Sequence, residues 1–323
     1  MHRRQYLMRA GVSAGAVTTL AGCLGELTDS DDGTGSEGAD RTGERALDRA
    51  TGRLNEAALA LQVDDSIDDP EAIDFDPAVP NDLIDEARDY LDTAAAELDE
   101  DHQSDVEGLR TYADILEGLV VVTDTVTDET LADDVDAVSA VIDGDGNHED
   151  ASDTLDDRTA RLETAQTRYD AAAADFDSFE QERFEALARI DYTDLEDGIT
   201  TLGDVLDSFR TLSAGFESML EGYDALEQGQ SAVDDEDYEQ ARPLFADAES
   251  AFETATTTFD DEEPPNGLVS YFETARCQSA HLTAAAVAFE ESAAAAAAGD
   301  PLTAAEYREA GDRDLEAARD CSQ

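Results

Sequence analysis

The stretch LEDGITTLGDVLDSFRTLSAGFESMLEGYDAL, residues 195–226, decides the fold class. Its large apolar residues recur at spacings of three and four, and a second apolar series recurs every seven residues. A helix has 3.6 residues per turn, so this spacing places them all on one wide face. The members are Leu195, Ile199, Leu202, Leu206, Phe209, Phe216, Leu220 and Tyr223, with Val205, Leu212, Met219 and Leu226 beside them. The pattern predicts one long helix that packs against other helices.

The rest of the chain body has the same helical character, being rich in Ala, Leu, Glu and Arg. The β-branched run 119–126 continues a helical pattern and is predicted to be helical as well. Breaks are expected at residues 64–80, 143–150 and 260–266, where Asp, Gly or Pro accumulate. We therefore expect an all-α protein, either a helical bundle or a short helical-repeat array. The predicted helices are approximately 44–62, 82–99, 104–127, 130–142, 151–190, 238–258, 267–298 and 302–320, besides the long helix around 195–226.

Three short segments in the first half of the body resemble three in the second half, in the same order. EARDYLDTAAAEL (Glu86–Leu98) is similar to QARPLFADAESAF (Gln240–Phe252), and GLRTY at 108–112 and LETA at 162–165 have counterparts at 267–271 and 315–318. This suggests a first helical unit at 44–190 and a second at 191–323. Chance similarity between Ala-rich acidic helices is the alternative.

One stretch of the second unit resembles a tetratricopeptide repeat (TPR). Gly229, Tyr238, Ala241, Phe245 and Ala248 have the spacing of small and aromatic residues in that helix pair. The resemblance implies a TPR-like helical hairpin. The sequence departs from the pattern where Glu236 stands in place of the usual glycine and where Pro243 lies in the second helix. The first-helix Trp and Leu-Gly pair are also missing.

The N-terminus carries two export motifs in order. Arg3 and Arg4 are followed by Tyr6 and Leu7, and an uncharged segment then ends at Leu20-Ala21-Gly22-Cys23. That segment is about 13 residues long, shorter than the roughly 20 residues that a membrane-spanning helix needs. The twin arginine resembles a Tat signal, although Met8 stands where Lys is usual, and LAGC resembles a lipobox. The resemblance implies a signal peptide at 1–22 and lipidation of Cys23. An uncleaved N-terminal anchor with an incidental cysteine is the alternative.

The residues after Cys23 are mostly Gly, Ser, Thr, Asp and Glu as far as Gly43. Such a composition buries little apolar surface. We therefore expect residues 23–43 to be a flexible acidic tether between the lipid and the helical body. The predicted location is the extracellular face of the cell membrane.

The charge balance is extreme, with 81 acidic residues against 20 basic ones, all of them arginine. Self-repulsion of this size destabilises a compact chain unless salt screens it. The composition resembles that of proteins from halophilic archaea, in which acidic, lysine-poor surfaces are general. It argues against nucleic-acid binding, which requires basic patches. It is no evidence for a cation site, because a solvated acidic surface is the norm in such proteins.

Two cysteines remain besides Cys23. Cys277 and Cys321 lie equally far before and after Gly299-Asp300-Pro301, a predicted turn between two helices. In an antiparallel hairpin this spacing places them side by side. A disulfide is expected in an exported chain. Two free thiols are the alternative.

The segment DGDGNHED at 143–150 is the best metal candidate in the sequence. Asp143, Asp145 and Asn147 stand at the first, third and fifth positions of a calcium-type loop. His148 then replaces the glycine of the sharp turn, and Thr154 replaces the closing glutamate. An Asp/Gly-rich connection between helices explains the segment equally well.

No catalytic motif is found. The sequence has no Gly-rich phosphate loop, no nucleophile elbow and no two histidines four residues apart. The sequence therefore predicts a non-catalytic, lipid-anchored scaffold that binds other envelope proteins, with no catalytic residues and no cofactor apart from the calcium candidate. The alternatives are a solute- or metal-capturing surface lipoprotein and an envelope enzyme.

Overall fold

The computed structural model describes residues 34–61, 75–128, 131–144 and 146–321. Within these ranges the chain forms ten α-helices and no β-strand, which confirms the all-α prediction. The helices are α1 (Thr34–Leu61), α2 (Ala78–Glu97), α3 (Gln103–Val126), α4 (Leu131–Asp143), α5 (His148–Asp177), α6 (Gln181–Ala188), α7 (Tyr192–Asp234), α8 (Tyr238–Asp260), α9 (Val269–Ala297) and α10 (Pro301–Asp320).

Helix α7 organises the molecule. It is 43 residues long, longer than the stretch that the apolar stripe predicted, and it contacts α3, α5 and α8. Helices α7, α8, α9 and α10 pack in chain order as successive antiparallel neighbours, while α1 and α2 form a hairpin against α3. The predicted boundary at residue 190 falls between α6 and α7. Buried side chains on both sides of that boundary belong to one continuous hydrophobic core.

The α7–α8 interface has a seven-residue period on both sides. In α8, buried alanines and phenylalanines alternate in the order Ala241, Phe245, Ala248, Phe252, Ala255 and Phe259. In α7, Gly215, Gly222 and Gly229 lie opposite the three phenylalanine rings. A strict seven-residue repeat keeps one seam facing its partner along two long helices. The glycines let the two backbones approach, and the rings fill the space between them.

Helix α1 begins at Thr34, inside the segment 23–43 that the sequence predicts to be a flexible tether. The prediction is wrong for the helical part of that segment. Gly43 is buried against α2, and a Cβ there would lie 2.5 Å from Cγ of Leu98. The close approach of α1 to α2 therefore requires a small residue, and helical packing extends into a composition that local propensity assigns to coil. Residues 23–33 lie outside the described ranges.

The predicted helix 151–190 is divided into α5 and α6, with a break around Ser178–Glu180 that contains neither Gly nor Pro. An aromatic cluster accounts for the break. The ring of Phe184 in α6 lies 5.2 Å from that of Tyr112 and 5.8 Å from that of Phe176. The chain has to turn after α5 to place Phe184 in this cluster, so tertiary packing overrides helix propensity.

Among the described helices, none has both the length and the apolar composition that crossing a membrane would require.

Candidate functional site

The α9–α10 hairpin carries a cysteine pair and a histidine that lie close together. Gly299 ends α9 with φ 79°, and the Asp300 side chain accepts a hydrogen bond from the Thr303 backbone at 3.2 Å and caps α10. Two contacts then fix the register. The Oγ of Ser292 donates to the carbonyl of Ala304 at 2.8 Å, and Gly311 lies beneath the ring of Phe289.

This register brings Cys277 and Cys321 together. They form a disulfide with a Cα–Cα distance of 5.9 Å, the arrangement that their equal spacing about Gly299 predicts. Helix α10 itself fully buries only Gly311 and Ala318. The disulfide therefore links the end of α10 to α9, and α10 has little apolar packing of its own.

A histidine and a carboxylate stand beside the disulfide. His281 lies one helical turn beyond Cys277, and a ring nitrogen of His281 and the two sulfur atoms lie within 4.8 Å of one another. Nδ1 of His281 also lies 3.8 Å from Oδ1 of Asp314 on α10, with both side chains partly exposed at 42% and 35%. In the described part of the chain, no second group of three cysteine, histidine or carboxylate side chains lies this close together.

The structure describes only some residues of the calcium-type loop at 143–150. Asn147 caps α5, with its side chain accepting from the Glu149 backbone at 3.0 Å, and His148 Nε2 lies 3.0 Å from the carbonyl of Leu220 in α7. Asp145 and the side chain of Asp143 lie outside the described residues. Calcium binding by Asp143, Asp145 and Asn147 therefore stays a prediction.

Arg319 connects this loop to the end of the hairpin. Its Nε donates to the carbonyl of Ile142 at 3.1 Å, and the hydroxyl of Tyr223 donates to the same carbonyl at 3.3 Å. A Cβ on Gly144 would lie 3.8 Å from Arg319 Nη2. The structure thus brings the loop and the cysteine pair to the same end of the molecule, and it places a cationic guanidinium at the loop, which opposes a second cation there.

A buried ion pair lies between α4 and α5. Nε of Arg158 donates to Oδ2 of Asp134 at 2.6 Å, and the two side chains are only 2% and 6% exposed. Burial raises the pKa of Asp134 above its ordinary value although Arg158 opposes that shift. The pair is a structural feature that our sequence interpretation missed. A signal was present, since Arg158 occupies the core register of α5 with Leu155 and Leu162.

The comparisons with known proteins give no relative. No family model matches the chain, and no curated protein or solved structure shows a significant match. Arg3, Arg4 and Cys23, the residues of the predicted export signal and lipidation site, lie outside the described residues.

Proposed function

We propose that this protein is a lipid-anchored, extracytoplasmic scaffold of a halophilic archaeal cell envelope that binds another envelope protein through its α9–α10 hairpin. The export motifs that end at Cys23 support the proposed location on the outer side of the membrane. The acidic, lysine-free composition supports the high-salt setting. Successive packed helix hairpins support a binding role, since such arrays present extended surfaces to partners.

The observation that carries the proposal is the exposure of large apolar side chains on one hairpin. Leu302 is 79% exposed, and Tyr307 and Val287 are each 39% exposed; the other exposed large apolar residues of the described chain, Leu59 and Val79, lie on the α1–α2 hairpin. We call Leu302, Tyr307 and Val287 the hairpin surface. Single exposed apolar residues are common. We assign these three to a partner because α10, which fully buries only Gly311 and Ala318, leaves most of its own surface uncovered.

Site-specific photo-cross-linking in intact cells at native salt tests this proposal. A photoreactive residue replaces Leu302 in one strain and Leu59, which is 63% exposed on α1, in the control strain. We expect a discrete cross-linked envelope protein from position 302 and not from position 59. In the strain that keeps the photoreactive residue at position 302, the double change Val287→Glu/Tyr307→Glu should abolish that product, whereas Leu59→Glu should leave it. The same products from both positions, or none from position 302, would contradict the proposal.

The membrane anchor has its own test. Cys23→Ser removes the predicted lipid attachment site, and we expect the protein to move from the membrane fraction to the medium. Unchanged retention in the membrane fraction would contradict lipidation at Cys23 and would leave the hairpin experiment unaffected.

A further inference from the structure

The α9–α10 hairpin carries a set of metal-ligand side chains at helical spacings on facing helices. Cys277 and His281 are four residues apart in α9, and Asp314 of α10 is seven residues before Cys321, which directly follows that helix. Residues at these intervals lie on the same face of a helix. The two antiparallel helices thus bring two sulfurs and one imidazole together, with one carboxylate beside the imidazole.

The distances fit a tetrahedral metal after a small movement. The imidazole nitrogen and both sulfurs already lie within 4.8 Å of one another. Around a zinc ion with Zn–S distances of about 2.3 Å and tetrahedral angles, two thiolate sulfurs stand roughly 3.7 Å apart. Opening the S–S bond and rotating the two side chains gives this separation without moving either helix far, because the Cα atoms are 5.9 Å apart.

Asp314 is the candidate for the fourth position. Its Oδ1 lies 3.8 Å from Nδ1 of His281, on the partly exposed side of the hairpin. A carboxylate oxygen there can complete a Cys₂HisAsp set or hold a water molecule in the open position. Thiolate and imidazole ligands favour zinc over calcium or magnesium.

We propose that the reduced form of this protein binds one Zn²⁺ through Cys277, Cys321 and His281, with Asp314 as the fourth ligand. Metal binding and disulfide formation are then mutually exclusive states of one site. Zinc binding displaces the two thiol protons. Oxidation removes two electrons from the two zinc-bound thiolates, forms the S–S bond and releases Zn²⁺. The electrons pass to an oxidant of the disulfide class, which takes up two protons and leaves as two thiols.

Both states hold the hairpin closed. Every chain passes through the dithiol form between synthesis and oxidation, and α10 then has only Gly311 and Ala318 fully buried to keep it in place. A zinc ion bridging α9 and α10 at this stage supplies the missing cross-link, because metal-binding free energy contributes to folding free energy. This inference does not depend on the proposed partner of the hairpin surface.

Cobalt titration tests the proposal. The full chain with Cys23→Ser, which leaves only Cys277 and Cys321 as thiols, is reduced, freed of reductant without oxygen, and titrated with Co²⁺ at molar salt. We expect thiolate-to-Co²⁺ charge transfer and the strong visible bands of tetrahedral Co²⁺, saturating at one equivalent and displaced by Zn²⁺. The oxidised protein should show neither. Absence of these bands from the reduced protein, with helical circular dichroism retained, would overturn the proposal.

Variants assign the ligands. His281→Ala should lower zinc affinity by more than about 100-fold, since changes outside the ligand shell alone cost about 10- to 100-fold. Asp314→Asn should lower it by about 10-fold or more. Asp312→Asn, on an exposed position of α10, and His102→Ala, outside the hairpin, should leave it unchanged. Unchanged affinity in His281→Ala would show that the two thiols bind metal adventitiously and would overturn the site. Protection of both thiols from alkylation by Zn²⁺ gives a second readout of the same binding.

Discussion

Gly222 of α7 lies directly beneath the ring of Phe252 in α8. A Cβ at position 222 would lie 2.6 Å from Cε1 of that ring, well inside the 3.0 Å that Cβ contacts in folded proteins essentially never cross. The same relationship repeats one heptad away, at Gly229 with Phe245 and at Gly215 with Phe259. The three glycine–phenylalanine pairs therefore set the distance between α7 and α8 along most of the interface.

Gly222→Ala is expected to destabilise the protein by about 1–2 kcal/mol. Overpacking a filled core destabilises a protein by about 1–3 kcal/mol. Alanine is a better helix former than glycine, which offsets about 0.5–1 kcal/mol of that loss. Chemical denaturation at molar salt measures the change. The matched control is Gly198→Ala, also in α7 but with no atom within 4 Å of its Cβ position, and this change should stabilise by about 0.5–1 kcal/mol. Equal effects at the two positions would contradict the packing role of Gly222.

Glu236→Gly is expected to stabilise the protein by about 1 kcal/mol. Glu236 adopts φ 61°, a left-handed conformation that destabilises a residue with a Cβ by about 1–2 kcal/mol. It sits in a helix-ending motif in which its N–H donates to Val233 and that of Asp237 to Ala232. Gly299 occupies the equivalent position between α9 and α10. Gly299→Ala should therefore destabilise by a similar amount, and thermal unfolding of both variants checks the pair. A loss of stability in Glu236→Gly would contradict this account.

The sequence predicts those features that depend on local periodicity or on chain-reversing residues. The stripe at 195–226 predicts α7, and the spacing about Gly299 predicts which cysteines meet. The TPR resemblance also marks Glu236 as a departure, and the structure shows a positive φ there. Features set by distant packing are not predictable in this way. The break before α6 depends on where Tyr112 and Phe176 stand, and the helical start of α1 depends on the contact of Gly43 with Leu98.

The candidate site likewise combines features that the local sequence predicts with features that depend on packing between helices. The predicted disulfide accounts for both sulfurs, so the sequence alone gives no reason to pair Cys277 with His281, four residues further on, as metal ligands. The place of Asp314 beside His281 depends on the hairpin register, which Gly311 and Phe289 fix in three dimensions.

Arg158→Met is expected to destabilise the protein by about 3–5 kcal/mol, because it leaves the Asp134 carboxylate buried without its cation. The double change Arg158→Met/Asp134→Leu should restore most of this loss, since a well-packed apolar pair replaces a buried ion pair at little cost. An exposed pair gives the control. Arg53 Nε lies 2.8 Å from Glu86 at the surface, and Arg53→Met should change stability by less than about 1 kcal/mol. A double variant no more stable than Arg158→Met would contradict the account.

The Arg158→Met variant should also gain a distinctive pH dependence. Burial already raises the pKa of Asp134 above 3.8, and removing Arg158 raises it further. The folded chain then binds a proton more tightly than the unfolded chain does. Stability therefore falls as the pH rises from the unfolded pKa through the higher folded pKa, and part of it returns on acidification. Denaturation at a series of pH values measures this slope, which should be absent from Arg158→Met/Asp134→Leu.

Salt is expected to stabilise the wild-type protein strongly. A net charge of −61 opposes compaction, and the Debye length falls from about 10 Å at 0.1 M salt to about 3 Å at 1 M. The melting temperature should rise steeply over this range with NaCl. Because NaCl also acts through general salting-out, a matched series with a non-ionic osmolyte serves as the control and should give a smaller rise. A melting temperature independent of NaCl would contradict the high-salt setting proposed for this chain.

Loss of the disulfide is expected to act mainly on α10. The double change Cys277→Ser/Cys321→Ser opens a loop with a sequence separation of 44, for which the chain-entropy estimate is about 4 kcal/mol. Because α10 fully buries only Gly311 and Ala318, it should then open locally before the rest of the protein unfolds. Hydrogen exchange measured with a metal chelator present should accelerate across 301–320, while the α1–α2 hairpin at the other end of the chain keeps its protection. Uniform acceleration along the chain would show that the disulfide stabilises the whole fold equally, and unchanged exchange in α10 would show that Arg319 and the Phe289–Gly311 contact hold the helix without it.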